Sequence, residues 1–167
     1  MSSVAPDNSQ PSQPIQPSLN VVAQYIKDFS FENPRAPQSL APKEGAPSIT
    51  VNVNVIPRQR GGGEFEVDLK LEAKASFGAD VLFAVDLTYG GLFRVNNVPE
   101  QHLHAFVMIE CPRLLFPFAR QVVADATRNG GFMPLMIDPI DFVALYQQYL
   151  QRMAAQAQAA QQQQAPN

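Results

Sequence analysis

The sequence predicts an α+β fold, in which a four-stranded antiparallel sheet packs against a long, broken helix and a C-terminal helix. Three observations predict it: apolar and polar residues alternate through most of 49–95, glycines separate the alternating runs, and two segments after residue 98 carry helix start signals. Alternate side chains of a strand point to opposite faces, whereas a helix would spread the same pattern around its axis.

The first strand is predicted over 21–32. Alternation places one set of its side chains on one face: Tyr25, Lys27, Phe29 and Phe31. The second face then carries Ile26, Asp28, Ser30 and Glu32. Pro34 and Pro37 end the strand because proline has no N–H for the ladder, and a proline-rich loop follows over 35–47.

Three further strands form a meander over 49–95. In 65–75 every odd position is apolar or small, and the even positions are Glu66, Asp68, Lys70, Glu72 and Lys74. We therefore expect the odd positions to face a core and the even positions to face solvent. Glycines at 61–63 and 78 suit the two tight bends. The pair Gly90-Gly91 predicts a bend, a bulge or a close backbone approach in the last strand.

A long helix is predicted over 99–129, with Pro99 in its first turn and Gly130 at its end. Pro112 and Pro117 predict a kink or a division into two shorter helices. The segment is apolar nearly all round, so it has to be covered on more than one side. One sheet covers one side, and we expect another subunit to cover the other.

The C-terminal helix is predicted to begin at Asp138 as N-cap, with Pro139 at its first position. Its apolar stripe has helical spacing: Phe142, Leu145, Tyr146, Tyr149, Leu150 and Met153. Composition predicts a disordered Pro/Ser/Gln-rich tail over 1–18 and a disordered Ala/Gln-rich tail over 154–167. One folded domain, 19–153, lies between the two tails.

Composition excludes several classes of function. With 16% charged residues and a net charge of -3, no basic surface for nucleic acid is expected. The single cysteine, Cys111, excludes an intrachain disulfide and favours a reducing compartment. The first 26 residues contain no Lys or Arg, which argues against a secretory signal. The sequence has no apolar stretch of 18 residues, so no membrane-spanning helix is predicted. We expect a cytoplasmic protein.

We also find no pattern typical of an enzyme. His102 and His104 point to different sides of a helix, and no Cys or carboxylate cluster would complete a metal site. Cys111 lies in an apolar segment without a base beside it, which favours a structural thiol. Neither group of adjacent glycines has nucleotide-binding spacing. We therefore expect no catalytic residues, metal or cofactor.

Four motifs occur in order along the chain: YIKDFSFENP at 25–34, GGLF at 90–93, CPRLLFPFAR at 111–120 and GFMPL at 131–135. Together they resemble SecB, the family of bacterial preprotein export chaperones, over about residues 19–153. The resemblance implies the SecB-like fold, with four antiparallel strands, a long broken helix and a C-terminal helix. It also implies a homotetramer, a dimer of dimers with helices between two outer sheets.

The resemblance further implies a function. Members of the family hold unfolded secretory preproteins in the cytoplasm and pass them to the motor ATPase SecA, without a cofactor of their own. The family's SecA-contact positions fall on Asp28, Glu32, Ala84 and Asp86. Alternation puts Asp28 with Glu32, and Ala84 with Asp86, on the solvent face. Such a negative face would attract a basic partner segment and lose affinity in salt.

A groove for client polypeptide is our own inference from the surplus of apolar side chains. Its candidate residues are Phe29, Phe31, Leu40, Phe142, Leu145, Tyr146 and Tyr149. The alternative for each residue is the core or a subunit interface. Two other functions stay open: a structural oligomer or adaptor without chaperone activity, and a protein that binds one small ligand between helix and sheet.

Overall fold

The computed structural model describes residues 16–163 and confirms the α+β fold. Its elements, in order, are β1 (Ser18–Glu32), a 3-10 turn (Gln38–Leu40), β2 (Ser48–Gly61), β3 (Glu64–Phe77), β4 (Asp80–Asn96), α1 (Glu100–Asn129) and α2 (Phe142–Gln163). The strands form one antiparallel sheet in the order β1-β4-β3-β2, so β1 and β2 are its edges. The predicted N-terminal tail lies largely outside the described residues, which begin at 16.

The meander is as predicted. The bend between β2 and β3 uses Gly61, Gly62 and Gly63 at φ values of 93°, 60° and 76°, and Gly78 in the next bend has φ 60°. Glycine adopts such angles without steric cost, so these bends can be tight. The odd positions of β3 face the core, where Val67, Leu69 and Leu71 are fully buried.

Two β-bulges change the pattern of β1. The pairing with β4 shifts between Val21 and Ala23, and again between Ile26 and Asp28. One extra residue at Lys27 reverses the alternation of faces. The prediction that Tyr25 and Lys27 share a face with Phe29 is therefore wrong. Tyr25 and Lys27 lie on the face opposite α1, which we call the outer face, while Phe29 and Phe31 pair with core-facing residues of β4.

Helix α1 lies on the core face of the sheet as one helix. Both Pro112 and Pro117 are inside it, so the alternative of two shorter helices is wrong. Its buried side includes Val107, Cys111, Leu115 and Val123. On its other side, Leu114 and Phe118 stay 42% and 50% exposed, so the sheet covers only part of this apolar helix.

Gly90 and Gly91 provide a close approach, one of the three predicted alternatives, and β4 runs through them without a break. A Cβ on Gly91 would lie 2.8 Å from the Leu115 side chain, so the missing side chain lets α1 pack closely on the sheet. A Cβ on Gly90 would lie 2.6 Å from the Tyr25 ring on the outer face. The bulges are in β1, on either side of Gln24 and Tyr25, which pair with these glycines.

Helix α2 differs from the prediction at both ends. Its N-terminal amides at Val143 and Ala144 donate to Asp141 Oδ1, each at 3.0 Å, so Asp141 rather than Asp138 provides the cap. The helix continues to Gln163 and so includes 154–163, the first part of the tail that composition predicts to be disordered. Alanine and glutamine are good helix formers, and they extend a helix that packing has already nucleated. Neither helix of the described residues 16–163 is long and apolar enough to cross a membrane.

Candidate functional site

The outer face of the sheet brings together the four residues predicted to contact SecA. Glu32 pairs with Ala84, and the next rows pair Ser30 with Asp86 and Asp28 with Thr88. A shallow groove of about 420 Å³ lies here, lined by Glu32, Ala84 and Asp86 among others. The predicted grouping of these residues on one face is correct, because the alternation reverses at Lys27 and is regular from Asp28 to Glu32.

Three charged residues that were not among the predicted site residues extend this region. Glu72 lies directly opposite Asp86 on the neighbouring strand and lines the same groove, as does Lys74. Lys70 Nζ lies 3.0 Å from Glu72 Oε1 and 3.6 Å from Asp86 Oδ2. The hydrogen bond to Glu72, with the charge of Asp86, raises the pKa of Lys70. The lysine thus offsets the repulsion between two facing carboxylates.

Glu66 and Asp68 depart from the expectation that even positions of β3 face solvent. They lie on the outer face but are only 5% and 2% exposed. Lys27 Nζ lies 2.8 Å from Glu66 Oε1 and 3.0 Å from Asp68 Oδ2. Arg58 Nη1 donates to Asp68 at 2.6 Å, and Arg60 donates to Glu66. Basic side chains from both edge strands, β1 and β2, thus cover the two carboxylates.

This ion cluster depends on Gly90. Gly90 lies between Tyr25 on β1 and Asp68 on β3, so no side chain of β4 separates the two. Tyr25 Oη donates to Glu66 Oε1 at 3.0 Å. The hydrogen bond from Lys27, helped by those from Arg60 and Tyr25 and opposed by burial, lowers the pKa of Glu66 to about 2. Burial and the bond to Glu66 raise the pKa of Tyr25.

The predicted client residues fall into two regions. In the first, the Phe31 and Phe83 rings stack at 6.1 Å between centroids, and Phe83 lies 5.0 Å from Phe132. Leu40 packs beside this cluster, 3.1 Å from the position of a Cβ on Gly131. Phe29 lies on the same sheet face as Phe31, and Phe29 and Leu40 are 40% and 45% exposed.

The second region lies between α2 and the edge strand β2. An open groove of about 690 Å³ is lined by Leu145 and by Val51, Val53 and Ile140. A second hollow of about 360 Å³ shares the last three residues, so the two form one channel along β2, which we call the edge groove. The residues that β2 contributes were not among the predicted client residues. The signal was available in the alternating valines 51, 53 and 55, because a strand at the edge of a sheet keeps one side open.

The remaining predicted client residues lie on α2. Tyr146 and Tyr149 stack on each other at 6.2 Å, and the Tyr146 hydroxyl lies 3.1 Å from His104 Nδ1. Phe142 is only 3% exposed and packs against Phe116, with ring centroids 6.2 Å apart. In the single chain Phe142 therefore belongs to the core, which was the alternative considered for it.

Two further features concern chemistry. Cys111 is buried, and burial raises the pKa of its thiol to about 12, so almost no thiolate is present at neutral pH. His104 faces the tyrosines of α2 rather than His102. Within residues 16–163, no three His, Cys, Asp or Glu side chains are grouped so that they could hold a metal ion.

The family model described as preprotein translocase subunit SecB matches residues 12–153. This chain belongs to the SecB family. The protein-export protein SecB of Azorhizobium caulinodans is 60% identical over 155 residues, which are 93% of this chain and 95% of that relative. The SecB of Xanthobacter autotrophicus is 56% identical over 156 residues, 93% of this chain and 100% of the relative. The chain therefore spans nearly the whole length of these SecB proteins.

A solved structure agrees on the fold of this SecB-family chain. It is the Mycobacterium tuberculosis Rv1957 SecB-like chaperone in complex with a ChAD peptide from the Rv1956 HigA1 antitoxin, with a TM-score of 0.60. The match covers 73% of this chain and 89% of that one at 18% sequence identity. At this level of identity the comparison supports the SecB-like architecture alone.

Proposed function

We propose that this SecB-family protein is a cytoplasmic chaperone that binds unfolded preproteins, keeps them competent for translocation and delivers them to SecA. The edge groove is the single observation that carries the proposal. It is open, and Val51, Val53, Ile140 and Leu145 give it apolar walls between polar side chains, which suits an extended chain better than one compact ligand. The proposed activity requires no catalysis by this chain, because the energy for translocation comes from SecA.

On the client side, an extended preprotein segment would lie along β2. Among residues 16–163, one edge of β2 has no strand beside it, so its backbone groups can pair with an added strand. The walls of the edge groove, with Leu145 and the neighbouring Tyr146 and Tyr149, would accept apolar side chains of varied shape. The exposed Phe29 and Leu40, beside Phe31, would give a second apolar contact along a bound chain.

The proposal includes assembly into a homotetramer, a dimer of dimers. Two surfaces that the single chain leaves open support it. The edge strand β1 exposes Val21, Val22 and Ile26. The side of α1 away from the sheet exposes Leu114 and Phe118. Covering a large apolar side chain stabilises by about 1.5–3 kcal/mol, so two such surfaces favour two kinds of subunit contact.

SecA would dock on the outer face, at Asp28, Glu32, Ala84 and Asp86. The helices pack on the opposite face of the sheet, so helices placed between two outer sheets would leave this face accessible. Its carboxylates would attract a basic segment of SecA, in an interaction that weakens with salt.

The test is to mix the purified protein with an unfolded, slow-folding secretory precursor and to measure masses by size exclusion with light scattering. We expect a free mass near four chains and a heavier complex that contains precursor. A tetramer that ignores the precursor would contradict the proposed function and favour the structural oligomer. Saturable binding of one compact molecule, without binding of unfolded chains, would favour the small-ligand protein.

A further inference from the structure

The outer face carries charge of opposite sign at its two ends. One end, which we call the acidic end, has more carboxylates than lysines: Asp28, Glu32, Glu72 and Asp86, with Lys70 and Lys74. The other, the basic end, has more basic groups than carboxylates: Lys27, Arg58, Arg60 and Arg94, with Glu64, Glu66 and Asp68. The row that contains Gly90 and Asp68 is the boundary of the basic end, and Lys27, in the bulge between that row and Asp28, directs its amino group to Glu66 and Asp68.

Depth increases the contrast between the two ends. At the basic end the side chains of Glu66 and Asp68 are only 6% and 3% exposed, whereas those of Arg58 and Arg60 are 44% and 57% exposed. An approaching molecule therefore meets guanidinium groups there, with the carboxylates beneath them. At the acidic end the side chains of Glu72 and Asp86 are both 46% exposed, so carboxylate oxygens are accessible directly.

The arginines of the basic end keep donors for a partner. Arg58 contacts Asp68 through Nη1, and Arg60 contacts Glu66 through Nη2. A guanidinium carries five N–H donors, so each of these contacts uses only part of the group. A carboxylate of a partner could bind the same arginines from the solvent side without displacing Glu66 or Asp68.

We infer that the outer face binds a partner segment of divided charge, with basic residues over the acidic end and acidic residues over the basic end. The inference rests on the proposed docking of SecA and specifies the chemistry of the docking segment. Asp86 and Leu92, the β4 neighbour of Glu66, are six residues apart. At about 3.3 Å per residue this is roughly 20 Å. The two charge blocks of the partner are therefore separated by about six extended residues.

Three synthetic peptides test this with the full-length protein. Each has a Lys/Arg block and a six-residue Gly/Ser spacer, followed by a tail of glutamates, of glutamines or of lysines. We expect the glutamate tail to bind about threefold more tightly than the glutamine tail, the scale of exposed ion pairs. We expect the lysine tail to bind no more tightly than the glutamine tail. Both differences shrink at high salt.

Two variants locate the effect. The first is Arg60→Gln, in which Glu66 keeps its hydrogen bonds from Lys27 and Tyr25. In this variant the advantage of the glutamate tail, which is the affinity of the glutamate-tailed peptide relative to the glutamine-tailed peptide, should fall. The control is Arg128→Gln, an exposed arginine of α1 that pairs with Asp125, and it should keep the advantage. Equal binding of the glutamate and glutamine tails, tightest binding of the lysine tail, or an unchanged advantage in Arg60→Gln would overturn the inference.

The same experiment separates this inference from the proposed function. Suppose that SecA and the glutamine-tailed peptide both bind, that Glu32→Lys abolishes this binding, and that the charge of the tail does not change the affinity. In that case only the inference fails, and the proposed docking site stands. If neither SecA nor any of the peptides binds, the docking site and the inference fail together.

Discussion

At the scale of single residues, the distinctive chemistry lies at Glu66 and Asp68. Two buried carboxylates on a sheet face are tolerable only when cations and hydrogen bonds replace the lost water. Lys27, Arg58, Arg60 and Tyr25 provide these contacts. They come from β1 and β2, so the cluster ties both edge strands to β3. It also keeps Glu66 ionised well below the ordinary range of a glutamate.

A pH dependence follows from Glu66. Its pKa is 4.5 ordinarily and about 2 in the folded chain, so its stabilising effect is full above pH 4.5 and is lost as pH falls toward 2. We expect the difference in unfolding free energy between wild type and Glu66→Gln to shrink between pH 5 and pH 2, measured by urea titration. Glu110→Gln, which removes an exposed i,i+3 pair with Arg113, is the control and should show little such change. A constant difference for Glu66→Gln would contradict the ion cluster.

At the scale of elements, α2 combines two roles. Its buried side attaches it to α1 through contacts such as Phe142 with Phe116. Its N-terminal part, with the link 135–140, forms one wall of the edge groove opposite β2. The position where the helix begins therefore sets the shape of the groove, and Asp141 sets that position.

The cap can be tested by two alanine substitutions. Asp141→Ala removes the acceptor for the Val143 and Ala144 amides and should destabilise the protein by about 1 kcal/mol. Asp138→Ala should have a smaller effect, because the structure assigns the cap to Asp141. Thermal unfolding of the two variants side by side gives the comparison. A larger loss for Asp138→Ala would restore the helix start expected from sequence.

The edge groove predicts a defect in client binding. Ile140→Ser removes an apolar group shared by both hollows and should weaken binding of an unfolded precursor by about 1 kcal/mol, or roughly fivefold. Val143→Ser is the matched control, since Val143 is 41% exposed on α2 and does not line either hollow. Suppression of precursor aggregation, measured at equal folded concentration, should fall only for Ile140→Ser. Equal behaviour of the two variants would place the client elsewhere.

At the scale of the whole molecule, different surfaces are available for different partners. The edge groove and the apolar cluster near Leu40 suit polypeptide clients, while the outer face is polar and charged. The exposed sides of β1 and α1 are the surfaces proposed for contact with other subunits. This separation would allow one assembly to hold a client and a docking partner together, as the proposed delivery to SecA requires.

The separation predicts that SecA binding can be lost without loss of client binding. Asp28→Lys with Glu32→Lys reverses two charges of the acidic end, and we expect SecA affinity to fall at least tenfold through repulsion of its basic segment. Glu44→Lys reverses an exposed charge in the loop before β2 and serves as control. Titration of SecA and of an unfolded precursor against each variant measures both activities. If the double variant bound SecA with wild-type affinity, Asp28 and Glu32 would not be part of the SecA-binding site.

Much of the fold follows from sequence because backbone geometry sets the local pattern. The alternation of apolar and polar residues predicted the core face of β3 and β4 correctly, and glycines predicted both bends of the meander. The same rule grouped Asp28 with Glu32, and Ala84 with Asp86, on one face. The four motifs pointed to the SecB family, which the family comparison confirmed. These features depend on residues that are close together in the chain.

Only the tertiary structure decided which of these faces are buried and by what. Glu66 and Asp68 have the sequence pattern of solvent-facing residues, yet Lys27, 39 and 41 positions away, covers them across the gap at Gly90. A single bulge moved Lys27 to that side, and Phe142 joined the core because α2 packs on α1. Periodicity is a local property of the backbone, whereas burial depends on residues that the chain brings together from a distance.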